Sequence, residues 1–409
     1  MPERAPNGPL PDPVVLRGED GWIVAAEPAE VVSASGADAF DRLSGLEPGW
    51  WAGYLAYDLG RAVERVRTRL TDDLELPDLL LARYDARALI GRDGRRIEAR
   101  DPAAGRRLAA RLDAARGSWR VPAPSHLGSP GSSLTRADFE AAVRAVVALI
   151  EAGECYQVNL TRRLVWEAPA SLWALFDAVA RRQRARYAAL LDLPLPDRGR
   201  VGVVSASPER FLRWQGREVE TRPVKGTGRE AGRLVASAKD RAENVMIVDL
   251  ARNDLGRVSV PGTVRVPELC LPERHPGLVH LVSRVRATLR ADVGPAELVR
   301  ATFPPASITG APKPRVLQAI EDLEPVRRGV YCGAVGWIDP ERDAGDLSVA
   351  IRTFTAAGGS TYFGVGGGIV ADSDPAAEWD ETELKAARLV ALLSGARGAG
   401  VARRPAGVS

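Results

Sequence analysis

Hydrophobic and polar residues alternate with two different periods along the chain. After Thr135, hydrophobic side chains recur at helical spacing up to Gly153, which predicts a helix with Thr135 as its N-cap. Strict alternation over residues 155–165 predicts a strand. The same patterns predict strands at 201–205, 210–214, 218–221, 278–289, 333–338, 347–354 and 360–365, and helices at 103–115, 172–184, 236–251, 295–302, 314–322 and 375–393. Since strands come in runs with helices between them, we expect an α+β fold of antiparallel sheets layered with helices.

Composition changes along the chain suggest five segments. Residues 1–13 are rich in proline and are expected to be a disordered N-terminus. Residues 14–116 form the N-terminal part of the α+β fold, and 117–134 read as a linker rich in proline, glycine and serine. Residues 135–393 form the main region, and the tail 394–409 is expected to be disordered.

The overall composition narrows the class of protein. The 409 residues are 45% hydrophobic and 27% charged with a net charge of +3, which is typical of a globular chain. No apolar run reaches the ~18 residues of a membrane-spanning helix. Basic residues are scattered among acidic ones, so neither a membrane nor a nucleic acid is expected as a partner. Three unpaired cysteines and no secretory signal favour the cytoplasm.

Lysine is rare in this chain. Of 56 basic residues only four are lysines, and all four lie in the C-terminal half: Lys225, Lys239, Lys313 and Lys385. A lysine amine can lose its proton and act as a nucleophile, whereas arginine stays charged. Each retained lysine is therefore a candidate for chemistry, although chance retention of any one of them stays open.

Two pairs of carboxylates have the same helical spacing. Asp240 and Glu243 share one face of a predicted helix, and Glu378 and Glu381 share a face of another. Brought together, the two pairs would form a hard oxygen site suited to Mg²⁺. A solvated acidic face on either helix is the alternative.

Two further segments carry candidate chemistry. Arg352 on an apolar strand and the glycines 364–368 would together suit a carboxylate substrate; a tight turn with an exposed arginine is the alternative. Lys225 lies between Pro223 and Gly226, sixteen residues after Glu209, and the two could act as nucleophile and proton donor. An ordinary surface ion pair remains possible there.

Several stretches taken together resemble the chorismate-utilising enzymes, and within that family the aminodeoxychorismate synthases. They are 53–60, 153–161, 207–211, 222–227, 239–256, 280–283, 303–313 and 350–385. The resemblance implies two α+β halves with facing sheets and an active site in the cleft between them. It also implies Mg²⁺ bound through Glu243 and Glu381, with Glu378 and Asp240 nearby or acting through water.

The resemblance further assigns substrate-binding residues. Arg352, the amides of Gly366, Gly367 and Gly368, and Lys385 would hold the carboxylates of chorismate. His280 would line the site, and Thr309 would contact the substrate. In the implied reaction the Lys225 amine attacks ring carbon C2 while the C4 hydroxyl leaves with a proton from Glu209. Ammonia then adds at C4 and expels Lys225.

Two positions separate the branches of this family. Relatives that add water to the ring carry a lysine base where this chain has Gln157, so isochorismate or salicylate synthesis is not expected. Anthranilate synthases usually have a small residue at the position of Lys225. Pro305 and Ala306 depart from the aminodeoxychorismate synthase pattern, which usually has two glycines there.

The source of ammonia is the last expectation. No cysteine lies in a Gly-x-Cys-x-Gly nucleophile turn, so a separate glutamine amidotransferase subunit is expected to supply ammonia. Two alternatives stay open: an anthranilate synthase component I, and a non-catalytic homologue that binds chorismate or a glutaminase without turnover.

Overall fold

Two large antiparallel sheets organise the chain. The computed structural model describes residues 10–393 except 119, 120, 124, 184, 198, 229, 276 and 277. In that part, the first sheet contains β1 (Val14–Arg17), β2 (Gly21–Ala25), β6 (Ala86–Gly91), β7 (Gly94–Ala99), β8 (Gly131–Ser132), β9 (Gln157–Trp166), β10 (Tyr187–Pro194), β11 (Arg200–Ser207), β17 (Gly310–Ala311), β20 (Thr353–Ala357) and β21 (Ser360–Ile369). Its strand order is β17-β9-β21-β20-β11-β10-β1-β2-β6-β7, with β8 beside β9.

The second sheet contains β3 (Glu30–Ala34), β4 (Trp50–Leu55), β5 (Leu79–Tyr84), β12 (Arg210–Gln215), β13 (Glu218–Arg222), β14 (Val224–Gly228), β15 (Arg265–His275), β16 (Leu278–Thr288), β18 (Ala334–Asp339) and β19 (Ala344–Val349). Its order is β14-β16-β13-β12-β19-β18-β4-β5-β3, and β15 pairs with β16. Both sheets therefore combine strands from the two ends of the chain.

Helices cover the sheets and separate neighbouring runs of strands. They are α1 (Asp38–Ser44), α2 (Pro102–Ser118), α3 (Arg136–Glu151), α4 (Leu172–Arg182), α5 (Ala231–Ala236), α6 (Ala238–Gly256), α7 (Pro295–Thr302), α8 (Lys313–Leu323) and α9 (Pro375–Val390). The expected cap of α3 is present, since the Thr135 side chain accepts a hydrogen bond from the Asp138 amide. No helix in the described ranges has the length and apolarity needed to span a bilayer.

Apolar side chains fill the space between the sheets and the space under the helices. Val14 and Leu191 of the first sheet pack in one cluster with Tyr54, Leu80 and Val335 of the second, so the two sheets face each other. A second cluster lies between the first sheet and α2, α4 and α9. The α+β architecture with facing antiparallel sheets is confirmed.

One predicted strand is wrong in a way that matters for the site. Residues 347–354 form two strands, because β19 ends at Val349 in the second sheet and β20 begins at Thr353 in the first. The chain crosses between the sheets at residues 350–352, and Arg352 has a left-handed φ of 53°. Both ends of the crossing are buried, so apolar residues continue through it without interruption. Hydrophobic periodicity therefore cannot reveal that one strand ends and another begins there.

Three smaller differences have local causes. The predicted helix 236–251 is α6, which begins after the Ser237 cap and continues to Gly256; the short helix α5 before it was not predicted. The strand β15 was missed because Pro267 and Pro272 and its bulges break the alternation. The glycines 364–368 lie inside β21, where they pair regularly with β9, and do not form a turn.

The expected linker and termini are only partly described. Within 117–134, the Leu127 amide donates to the Leu393 carbonyl and the Gly128 carbonyl accepts from Trp166, so this segment is packed against the fold. Leu10 is buried, which contradicts disorder at that end of the segment 1–13. Residues 1–9 and 394–409 lie outside the described residues.

Candidate active site

Lys225 lies where strand β14 passes the first turn of α6. The pairing of β14 with β16 shifts register between Lys225 and Thr227, and Gly226 between them has a φ of 76°. A side chain at Gly226 would come within 3.0 Å of Asp240 Oδ1, so glycine is needed for both the bulge and the close approach. The sequence places Lys225 beside the acidic end of α6 for these two reasons.

The environment of Lys225 favours a neutral amine. Burial lowers the pKa of Lys225, against the opposing effect of Glu209 and Glu243. Across the described residues, none accepts a hydrogen bond from its amine. A half-buried amine with a lowered pKa and no acceptor has the properties of a nucleophile.

Glu209 has the properties of a proton donor. It is 4% exposed, and burial raises its pKa to about 7, while the Ser307 hydroxyl, the Lys225 ammonium and the Val224 amide act in the opposite direction. A carboxyl with that pKa is largely protonated near neutrality and can release its proton to a leaving group. The two residues that the sequence separates by sixteen positions are therefore electrostatic neighbours, and a surface ion pair does not describe them.

The two acidic pairs come together across β21. A side chain at Gly367 would lie 3.3 Å from Glu378 Oε2 and 3.8 Å from Glu381 Oε1, so these carboxylates cover that glycine. Glu378 Oε1 also accepts a 2.6 Å hydrogen bond from Ser373. On the α6 side, burial raises the pKa of Glu243, and the Asp240 and Glu381 charges raise it further.

Burial and mutual repulsion also act on Glu378. Burial raises its pKa, and the nearby Glu381 charge adds to that effect, whereas the Ser373 hydrogen bond opposes it. Glu243 and Glu378 are therefore not freely solvated, whereas Glu381 is about half exposed. The residues described contain no three ligands already arranged for a metal. Carboxylate oxygens that repel one another fit a hard divalent cation, which would remove the repulsion.

Arg352 and Lys385 supply the positive charge. Arg352 lies in the sheet crossing, where burial and then the Arg388 charge lower its pKa. None of the carboxylates described forms an ion pair with Arg352. Lys385 Nζ lies 2.5 Å from Glu381 Oε1 and donates to the Gly366 carbonyl at 3.0 Å. Arg352 therefore has no anionic partner among the described residues, and the carboxylate of a bound substrate would be such a partner.

The three site glycines belong to a regular strand. Gly366, Gly367 and Gly368 pair with Thr161, Leu160 and Asn159 of β9, so their backbone is extended and does not form an anion-binding nest of consecutive amides. Their small size is explained by close packing: a side chain at Gly368 would meet Gln157 Nε2 at 2.7 Å. Binding of a carboxylate by their amides stays a prediction.

Three other residues surround this centre. His280 is 3% exposed on β16, opposite Thr227. Thr309 is fully buried and its hydroxyl donates to the carbonyls of Pro305 and Ala306, so it stabilises its own turn. The Gln157 side-chain amide is buried beside Gly368 with no hydrogen-bond partner in the described ranges. Substrate contacts by His280 and Thr309 stay predictions.

Sequence reasoning missed three side chains that act on the site. Ser307 influences Glu209, Ser373 holds Glu378, and the Lys239 charge lowers the pKa of Glu243. Ser307 and Ser373 reach their partners across loops, and no spacing rule finds such contacts. Lys239 was visible as one of the four lysines but has no distinguishing neighbours in the sequence.

A family of chorismate binding enzymes matches residues 16–391 of this chain. The match covers nearly all of the sequence and includes every site residue described above. The chain belongs to the chorismate binding enzymes.

Curated relatives come from two branches of this family. Aminodeoxychorismate synthase component 1 of Klebsiella aerogenes is 38% identical over 90% of this chain and 86% of its own length. The Salmonella typhimurium protein of the same name is 39% identical over 83% and 75%. Anthranilate synthase component 1 of Thermus thermophilus is also 38% identical, over 83% and 76%. Overall identity therefore does not separate the two branches.

Solved structures share the fold of this family member. Anthranilate synthase component I from Streptococcus pneumoniae superposes with a TM-score of 0.75 at 24% identity, covering 94% of this chain and 93% of its own. The menaquinone-specific isochorismate synthase MenF of Escherichia coli gives a TM-score of 0.75 at 19% identity, over 95% and 90%. At these identities the likeness concerns the fold alone.

Proposed function

We propose that this chain is the aminating component of an aminodeoxychorismate synthase, converting chorismate and ammonia to 4-amino-4-deoxychorismate. The single observation that carries the proposal is Lys225, a half-buried amine with a lowered pKa that senses the Glu209 charge. Relatives from both branches have the same percentage identity to the chain, so the proposal depends on the residue at position 225 and not on overall identity. A nucleophile at Lys225 is what a covalent route to the 4-amino product needs.

The first half of the reaction forms a covalent adduct. The neutral Lys225 amine attacks ring carbon C2, both double bonds of the ring diene shift by one position, and the C4 hydroxyl leaves as water after taking a proton from Glu209. The lowered pKa of Lys225 favours the free amine, and the raised pKa of Glu209 favours the protonated carboxyl.

The second half releases Lys225. Ammonia forms a bond to C4 while the C2–nitrogen bond to Lys225 breaks, which restores the ring diene and the free lysine. The Glu209 carboxylate takes the proton that the incoming ammonia loses, so it returns to its starting state. The hydroxyl at C4 is a poor leaving group. The covalent route replaces its direct displacement by ammonia with two steps, in which first the Lys225 amine and then ammonia is the nucleophile.

Positive charge and a divalent cation hold the substrate. Arg352 faces a substrate carboxylate because no anion of the described chain neutralises it. Glu243 and Glu381 would bind Mg²⁺, with Glu378 and Asp240 nearby; when bound, the cation neutralises and orients the ring carboxylate. A glutamine amidotransferase subunit supplies ammonia in the cytoplasm.

Product identification tests the proposal. The purified chain is incubated with chorismate, MgCl₂ and an ammonium salt, and the products are separated and weighed by mass spectrometry. We expect 4-amino-4-deoxychorismate. Anthranilate with pyruvate would assign the chain to the anthranilate synthases, and unchanged chorismate would indicate a non-catalytic homologue.

A variant tests the covalent role separately. Lys225→Arg keeps the charge but offers no free amine, because a guanidinium stays protonated at neutral pH. We expect it to bind chorismate and lose nearly all turnover. Turnover within about tenfold of wild type, a loss of only ~1.4 kcal/mol in transition-state stabilisation, contradicts a covalent role.

A further inference from the structure

One retained lysine has no part in the reaction described above. Lys313 is the first residue of α8, and its ammonium donates to Asp254 Oδ2 at 2.8 Å and to the Thr302 carbonyl at 3.1 Å. The Lys313 and Asp254 side chains are only 11% and 10% exposed. Burying such a pair requires desolvating both charges, so it contributes little net stability compared with apolar residues of the same size.

The Lys313 ammonium joins three helices around one segment. Asp254 lies near the end of α6, Thr302 ends α7, and Lys313 begins α8. The segment 303–312 therefore starts and finishes at the same ammonium group. A lysine suits this position because its compact ammonium donates in several directions, whereas the planar guanidinium of arginine is larger.

That segment packs against the strand that follows the proposed proton donor. Phe303 at its start lies edge-on to Phe211, two residues after Glu209, with the ring centroids 5.9 Å apart. Ser307, midway along the segment, lines the same pocket as Glu209. Thr302 and Asp254 line this small pocket too, between α6 and the second sheet. The segment and the two partners of Lys313 therefore form part of the wall beside Glu209.

We propose that Lys313, through Asp254 and Thr302, is a positioning residue that fixes the segment 303–312 and so holds Glu209 in line with the leaving hydroxyl. This inference rests on the proposed role of Glu209. The buried ion pair between Lys313 and Asp254 contributes little to stability, so stability does not explain its presence. A positioning role does. Lys313 itself touches neither the substrate nor the reacting atoms.

The test combines Lys313→Met with Glu209→Gln. In the wild-type background, we expect Lys313→Met to lower kcat by about 30-fold, because small misplacements of catalytic groups cost one to two orders of magnitude in rate. The KM for chorismate should stay within about threefold, since Arg352 and the carboxylates are untouched. In the Glu209→Gln background, the same substitution should cost less than about threefold, because the group it positions is already lost.

Controls separate positioning from loss of folding. Arg315 lies in α8, as Lys313 does, and forms a surface ion pair with Glu154. Arg315→Met removes that ion pair and should leave kcat unchanged. Lys313→Met leaves Asp254 buried and unpaired, so the double variant Lys313→Met/Asp254→Leu removes both charges and provides a folded form if the single variant unfolds. Circular dichroism and chorismate-binding stoichiometry count the folded sites.

The results distinguish the alternatives. Turnover per folded site within about threefold of wild type in the double variant overturns the proposal, and so does an equal loss in both Glu209 backgrounds. Chorismate consumption is the readout, so the result does not depend on which product forms. An anthranilate product would end the proposed function while leaving this test of Lys313 intact.

Discussion

Glu209→Gln should stabilise the protein at alkaline pH while greatly lowering, but not abolishing, its turnover. The carboxyl is ionised in the unfolded chain above its ordinary pKa of 4.5, whereas burial raises its pKa in the folded protein to about 7. Below pH 4.5 the Glu209 carboxyl is protonated in both the folded and the unfolded state, so its ionisation does not change the free energy of unfolding. As the pH rises, the unfolded state ionises first, so folding becomes less favourable until the folded carboxyl also ionises.

The size of the effect follows from the two pKa values. Their separation corresponds to about 3 kcal/mol of unfolding free energy above pH 7. Glutamine has nearly the same shape and no charge, so the variant should gain up to that amount at pH 8.5 and nothing at pH 4.5. The loss of an anion near Lys225 opposes the gain, which makes about 3 kcal/mol an upper bound.

Urea unfolding at several pH values measures this difference. Wild type and Glu209→Gln are compared between pH 4.5 and 8.5, and Glu47→Gln at an exposed position serves as the matched control. We expect the gap in unfolding free energy to widen for Glu209→Gln between pH 4.5 and about 7, then to level off, and to stay near zero for the control. A gap that does not change with pH would show that the Glu209 carboxyl is not raised by burial.

Three further outcomes are expected. The purified chain should turn over chorismate with ammonium salts but not with glutamine; glutamine-dependent turnover without a second subunit would refute this. Glu243→Gln and Glu381→Gln should each abolish Mg²⁺-dependent turnover, because each removes an anionic ligand while nearly keeping its shape, and near-normal rates across a Mg²⁺ titration would contradict the metal assignment. Arg328→Leu should lower the unfolding free energy by about 3–5 kcal/mol in denaturant titrations, because the buried Glu324 carboxylate, 2.6 Å from Arg328, loses its ion-pair partner. A loss below about 1 kcal/mol would contradict this reasoning.

Elements with strong periodicity could be predicted from the sequence. The helix α7 was predicted with its observed bounds, and α3 with its cap, because each begins at a residue with a defined local role. The crossing at Arg352 could not be predicted, since its two flanking strands are both apolar and belong to different sheets. A local hydrophobic pattern indicates that a residue is buried, but it does not indicate which sheet the residue belongs to.

The site shows the same limit. Paired carboxylates on α6 and α9 were visible because helical spacing places them on one face. The scarcity of lysine drew attention to Lys225, and the structure adds the burial that lowers its pKa. Ser307 could not be identified, because its contact with Glu209 depends on how the segment after α7 returns across the second sheet.

The interleaving of early and late strands has a consequence for how the chain is made. Strand β4 ends at residue 55, but its neighbour β18 ends at residue 339, and between them the ribosome must add 339 − 55 = 284 residues. At ordinary rates of synthesis this interval lasts about 15 to 60 seconds. Throughout that time the edge of β4 that contains Trp50, Trp51 and Tyr54 lacks its β18 partner, which is the kind of apolar strand edge that promotes aggregation.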